Sequence, residues 1–242
     1  MPVKAITFDF WCTLFGDVEE HAALRRQIRI EAFVKRTGVS TELAAEAHRV
    51  AAEAFMQHHI EQQQTLAPMD AVNMMAKTCG VELDEEDKRE LAECFATAIL
   101  AHPPQPIEGA LEAVQLAAQL RPVGLISDSG LSPGSSLSAL LERNGFVDYF
   151  QALTFSDQVG VAKPQALMFE RAAENLNVAP HEMLHLGDLE PTDIVGALGV
   201  GSQAGLFTGH HAKYLEGTRA QHTFGTWAEF IDTLREVLDR CA

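Results

Sequence analysis

The sequence predicts an α/β protein, a doubly wound parallel sheet with a block of α-helices inserted after its first strand. Three observations predict it. The run VKAITFDF at residues 3–10 has too few polar positions for a half-exposed strand and suits a parallel sheet covered on both faces. Residues 16–102 carry helical spacing and no convincing strand. Beyond Pro106, strand-like and helix-like stretches alternate, which marks βαβ units joined by right-handed crossovers.

The elements follow in order. A lysine before the first apolar run invites a signal-peptide reading, but Asp9 interrupts the run and no small-residue cleavage site follows, so it reads as a buried strand. From Asp17 to His102 the chain is rich in Ala, Glu, Gln and Leu, with Leu24, Ile28, Phe33 and Val34 at helical spacing. Breaks near Gly38–Thr41, Ala67-Pro68 and Gly80 divide this stretch into four helices, the second capped by Ser40 or Thr41. The sequence HPPQP ends it, because its prolines stop a helix and stiffen the connection. Then come a helix over Glu108–Leu120, the strand PVGLIS, a helix over Gly134–Asn144, the strand QALTFS and a helix over Gln165–Leu176. The strand EMLHLGD, a helix from near Pro191, the strand SQAGLF and an amphipathic helix bearing Phe230, Leu234 and Val237 complete the chain. The expected division is a sheet-bearing core over residues 1–15 and 103–242, with the helical insertion over 16–102.

Composition narrows the function. The 242 residues are 47% hydrophobic and 21% charged, as in ordinary folded domains, and no run nears the roughly 20 apolar residues that span a bilayer. Formal net charge is −16, from 34 acidic and 18 basic residues, with no Lys/Arg cluster to displace counterions from a phosphate backbone, so nucleic acid is excluded as a partner. Cys12, Cys79, Cys94 and Cys241 are widely spaced with no C-x-x-C pair. That argues against a zinc site or a disulfide framework and for a reducing, cytoplasmic setting.

In open α/β sheets ligands bind beyond the carboxyl ends of the strands. Chemically capable residues fall there: Asp9 closes the first strand, Ser127 the strand VGLIS, and Asp188 the strand EMLHLGD. Lys163 lies in the loop VGVAKP, where Pro164 restricts it to an extended backbone just before a helix. A lone strand-end carboxylate more often caps a helix than catalyses. The combination in this order carries the reading.

That combination resembles the haloacid dehalogenase superfamily over nearly the whole chain. The family's Asp-x-Asp-x-Thr motif is matched by Asp9-Phe10-Trp11-Cys12-Thr13, its strand ending in Ser or Thr by Ser127, its Lys-Pro by Lys163-Pro164, and its G-D-x-x-x-x-D by Gly187-Asp188 through Asp193. The resemblance implies a Rossmann-like core with an inserted α-helical cap, the seat of substrate selection. It further implies a hydrolase that attacks phosphorus with Asp9 to form an aspartyl-phosphate. Mg²⁺ would be held by the Asp9 carboxylate, the Trp11 backbone carbonyl and Asp188, with Asp193 acting directly or through a water. Lys163 would supply a fixed positive charge and Ser127 a hydrogen bond to a phosphoryl oxygen. The implied partner is a small-molecule phosphate ester or acyl phosphate.

Two positions depart from the family pattern. Asp128 stands where a neutral amide is common, and it is expected to cap the loop DSGLSPG rather than face the phosphate. Trp11 stands where an aspartate normally protonates the leaving oxygen; an indole offers only an N–H donor. Loss of such acid–base catalysis costs about 10²- to 10⁴-fold. His58 and His59, or His210 and His211, are candidates to replace it. The alternatives are a 2-haloacid dehalogenase-like hydrolase, whose branch carries an aromatic residue at this position but lacks the metal-binding acidic motif, and a degenerate member that binds without turnover.

Overall fold

The computed structural model describes residues 2–58 and 62–240. Strand β1 (Ala5–Phe8) is buried throughout, and its alternate residues serve different cores. Ile6 and Phe8 join Val114, Ala117, Phe230 and Leu234 on one face, whereas Ala5 joins Met168, Phe169 and Ala197 on the other. Both faces of the strand are covered, so it needs no polar half.

The two-residue strand β2 (Phe15–Gly16) follows, then four helices: α1 (Glu19–Thr37), α2 (Thr41–Gln57), α3 (Pro68–Cys79) and α4 (Glu85–Ala101). Their ends obey local chemistry. Gly38 closes α1 in the left-handed region at φ 73°, a conformation costly for any residue with a Cβ. Ser40, not Thr41, caps α2 by accepting the Leu43 N–H at 3.2 Å. Phe33, Val72, Met75, Leu91 and Phe95 give the insertion its own core. Strand β3 (Gln105–Pro106) then pairs antiparallel with β2. The chain thus leaves for the insertion and returns from it through one short ribbon.

Beyond the ribbon run α5 (Ala110–Leu120), β4 (Val123–Ser127), α6 (Gly134–Arg143), β5 (Ala152–Phe155), α7 (Ser156–Val159) and α8 (Ala166–Asn175). Strand β6 (Met183–Gly187) leads through a π-helical turn (Glu190–Ile194) into α9 (Val195–Gly199). Strands β7 (Gln203–Phe207) and β8 (His222–Phe224) and helix α10 (Trp227–Arg240) complete the chain. Six strands form one parallel sheet in the order β5-β4-β1-β6-β7-β8. The chain works outward from β1 through β4 to β5, then crosses back to β6 on the other side of β1. Such a reversal opens a crevice at the carboxyl ends of the strands. Strand β8 and the β2–β3 ribbon were not expected from the sequence, because two or three residues are too few for a period-2 pattern to register.

Candidate active site

The loop after β1 is a tight knot of backbone bonds. The Cys12 N–H donates to the Phe15 carbonyl at 2.8 Å, and the Phe15 N–H to the Phe10 carbonyl at 2.9 Å. Cys12 takes φ 54° to make this turn. Phe10 and Phe15 stack beneath it with ring centroids 4.5 Å apart. The indole of Trp227, itself stacked on Phe207, donates to the Thr13 carbonyl at 3.0 Å. Aromatic packing below and one buried hydrogen bond hold Asp9 at the sheet's edge.

Two strand ends and one loop then converge. Asp9 follows β1, Lys163 lies in the loop before α8, and Asp188 and Asp193 follow β6. The Lys163 ammonium, 2% exposed, donates to Asp9 Oδ1 and Asp193 Oδ1 at 2.6 Å each and to the Ile126 carbonyl at 3.1 Å. Asp128 Oδ1 accepts from the Lys163 backbone N–H at 2.9 Å, so this departure from the family pattern tethers the lysine loop. The π-helical turn brings Asp193 back toward its own start, where its Oδ2 accepts from the Leu189 N–H at 3.0 Å. Gly187 must be glycine here: a Cβ would sit 2.2 Å from the Asp193 carboxyl carbon.

His185, fully buried on β6, completes the support. Its Nε2 lies 3.1 Å from Asp193 Oδ1 and its Nδ1 lies 3.0 Å from Thr7 Oγ1, its direct neighbour in the sheet register. An ionised Asp193 can only accept, so Nε2 carries the proton and Nδ1 accepts from Thr7. Burial pushes the imidazole down, which keeps it neutral.

Electrostatics split the three carboxyls. Asp9 is pushed up to about 7, first by burial and then by Asp193, with Lys163 opposing. Asp188 is pushed up to about 9 by burial, then by Asp193 and Asp9. Asp193 is held below the usual carboxylate range: burial alone would raise it, but Lys163 and His185 outweigh that. Burial disfavours the Lys163 charge, yet Asp193, Asp9 and Asp128 together hold its affinity for the proton above that of a free lysine. One ammonium thus faces three carboxyls. Oxygens of Asp9, Asp188 and Asp193 lie within 4.8 Å of one another, all buried. An all-oxygen, charge-deficient set of this kind fits a hard divalent cation such as Mg²⁺.

These groups open into a cavity of about 590 Å³. Asp9, Trp11, Lys163, Asp188 and Asp193 all line it. Ser127 does not; it is fully buried and its hydroxyl donates to the Asp128 carbonyl at 3.2 Å. Of the four histidines, His211 lines the cavity and its Nε2 lies 2.8 Å from Asp188 Oδ2, whereas His58 is bonded to the Ala54 carbonyl and His210 is exposed. His59 lies outside the described residues. Reading the sequence missed Arg25 and Arg29 on the cavity wall, together with the Thr7–His185 pair. The pair did leave a signal, since each interrupts an otherwise apolar buried strand.

A family model described as haloacid dehalogenase-like hydrolase matches residues 3–201. The pyrimidine 5'-nucleotidase YjjG of Escherichia coli (strain K12) is 33% identical over 146 residues, 60% of this chain and 63% of that protein. The glyceraldehyde 3-phosphate phosphatase of Pyrococcus furiosus is 34% identical over 97 residues, 38% of each chain. A phosphoglycolate phosphatase of Yersinia pseudotuberculosis is 33% identical over 121 residues, 50% of each. The matched region spans less than two thirds of the length of these relatives. Solved structures align over nearly the full length. The HAD-hydrolase YfnB from Bacillus subtilis bound to magnesium has a TM-score of 0.68 at 17% identity, covering 99% of this chain and 100% of that one. A 2-haloacid dehalogenase from Pseudomonas syringae has a TM-score of 0.70 at 20% identity, with 99% and 100% covered. At these identities the likeness is one of fold. Among the described residues no helix is long and apolar enough to cross a membrane.

Proposed function

The chain belongs to the haloacid dehalogenase-like hydrolases, and from that premise we propose that it is a Mg²⁺-dependent phosphatase acting on a small phosphorylated metabolite through an Asp9 aspartyl-phosphate. One observation carries the reading: three buried carboxyls with oxygens within 4.8 Å of one another, two of them, Asp9 and Asp193, ion-paired with a single buried lysine on a cavity wall. The names of the matched relatives, phosphatases of small phosphorylated compounds, agree with it.

Asp9, Asp188, Asp193 and the Trp11 carbonyl would hold the cation, which when bound supplies the positive charge that lets two anions meet. The remaining steps belong to the chain itself. Lys163 stays protonated and holds one Asp9 oxygen at 2.6 Å, so the other oxygen attacks phosphorus along a fixed line. Ser127 does not line the cavity, so to donate to a phosphoryl oxygen it would have to give up the Asp128 carbonyl. The phosphorus–oxygen bond to the leaving group breaks as the Asp9–phosphorus bond forms, and water then cleaves the acyl phosphate. His185 and Thr7 keep Asp193 charged and oriented.

Trp11 fills the place from which the family's second aspartate would protonate the leaving oxygen, so the first step favours substrates whose oxygen departs as a stable anion. Aryl and acyl phosphates fit that requirement best. The aromatic Trp11 also favours one second reading, dehalogenation at carbon, since halide leaves without a proton. Retention of Asp188 and Asp193 weighs for phosphorus. A turnover screen with Mg²⁺ over phosphate esters, acyl phosphates and short 2-haloacids tests the choice. Phosphate release supports the proposal; halide release that persists in excess chelator replaces it with the second reading; neither would mark a binding protein.

A further inference from the structure

Helix α1 carries two arginines four residues apart, Arg25 and Arg29, each only 6% exposed. Like charges at this spacing share a helix face and repel, and arginine is seldom this buried without a partner. Arg25 has its partners: it donates to the His102 carbonyl at 2.8 Å and to Asp17 Oδ2 at 2.5 Å. Arg29 is different. Its Nε donates to the Phe95 carbonyl at 3.1 Å, and among the described residues no carboxylate pairs with its guanidinium. Burial and the neighbouring Arg25 push it down to about 10, which leaves it charged at neutral pH.

Arg29 lies on the wall of the cavity that Asp9, Lys163 and Asp188 open into. Ala52, Phe55 and Leu131 give the same wall its apolar surface; of the acids lining the cavity, Asp17 is paired with Arg25, and Asp9, Asp128, Asp188 and Asp193 belong to the Lys163 cluster. Arg25, Arg29 and Ala52 also border a second cavity, of about 630 Å³, between α1 and α2. Two acids border that cavity, Glu46, paired with Arg49 at 2.6 Å, and the exposed Glu42, and among the described residues neither is ion-paired with Arg29. A chain of net charge −16 therefore buries two adjacent guanidiniums and supplies one carboxylate, Asp17, between them. With Nε occupied, the outer pair of Arg29 nitrogens remains as a planar fork suited to two parallel bonds from one anion.

We propose that Arg29 binds a second anionic group of the substrate, a carboxylate or a second phosphoryl group. The substrate is then a small molecule anionic at both ends rather than the phosphate ester of an uncharged alcohol. This rests on the phosphatase reading only in taking the Asp9 end of the cavity as the seat of the first phosphoryl group.

The test uses inert probes, so that it does not depend on turnover. Calorimetry in Mg²⁺ compares 3-phosphonopropionate and propane-1,3-diphosphonate with propylphosphonate, which has a methyl group in place of the second anion. Wild type should bind one of the first two about 10- to 150-fold more tightly, the range for a hydrogen bond to a charged group; which one identifies the second anion. Arg29→Gln should erase the preference while binding propylphosphonate as wild type does. Arg29→Lys, which keeps the charge and loses the fork, should restore part of it. Equal affinities of wild type for all three probes, including no binding of any, overturn the proposal, as does a preference that survives in Arg29→Gln. A preference lost in Arg29→Gln, in a protein that releases phosphate from nothing, upholds the anion site and sinks the phosphatase reading.

Discussion

Lys163 bears the structural and the chemical argument together, so replacing it with Met is the most informative single change. Methionine nearly matches the side-chain length and volume but removes the charge. In the native site the ammonium is 2% exposed and contacts Asp9 and Asp193 at 2.6 Å each. Without it Asp193 keeps His185, the Thr192 hydroxyl and the Leu189 N–H but no charged partner, and Asp9 loses its cation. Removing one member of a buried ion pair costs about 3–5 kcal/mol. For a domain of this size each kcal/mol moves Tm by about 2–4 °C, so a fall of about 6–20 °C is expected in chelator. The pH dependence has a definite sign. Asp9 already sits up at about 7 and Asp188 at about 9. Raised acids stabilise the fold only while protonated, so that contribution is complete below the ordinary carboxylate range and is lost as pH rises through 7 to 9. Lys163 lowers both groups, so deleting it moves them further up and steepens the loss. Melting curves of both proteins at pH 6 and pH 8.5, with chelator, should show the larger gap at the higher pH. A gap under about 3 °C that is the same at both would refute the view that Lys163 is the counter-charge of this cluster.

Asp9→Asn should abolish turnover while leaving the fold intact, read by steady-state kinetics beside circular dichroism; retention of most of the wild-type rate rules out Asp9 as nucleophile. Mg²⁺ must displace protons from Asp9 and Asp188, raised to about 7 and about 9. Its affinity by calorimetry should therefore rise with pH between about 6 and 9. Asp188→Ala should mimic chelation in both activity and metal-induced Tm shift, and a pH-independent affinity would contradict the assignment of the ligands. With no acid at Trp11, aryl and acyl phosphates should outpace alkyl phosphates, and slow hydrolysis of the intermediate should give a burst of leaving group. Trp11→Asp should narrow that gap by up to about 10²-fold and shrink the burst. Absence of both burst and preference in wild type would mean that another group moves the proton. His211, on Asp188 at 2.8 Å, is the first to substitute.

What the sequence determined by itself is the set of local facts that short-range chemistry controls. Buried strands announce themselves as unbroken apolar runs, as at Ala5–Phe8 and Met183–Gly187; helix ends follow from Gly38, Ser40 and Pro68. The α/β class, the helical insertion and the strand-end positions of Asp9, Ser127 and Asp188 were legible for that reason, since each depends on residues a few positions apart. Only the tertiary structure decided which strand ends meet. Placing β6 beside β1 rather than beside β5 brings Asp193 to Lys163 across 30 positions and Thr7 to His185 across 178. Packing the insertion over the sheet edge likewise sets Arg29 on the cavity wall, a residue that in sequence is one more cation on an amphipathic helix. Periodicity records which face of an element is apolar, but partners are chosen by the free energy of burying those faces together. That choice belongs to the whole chain.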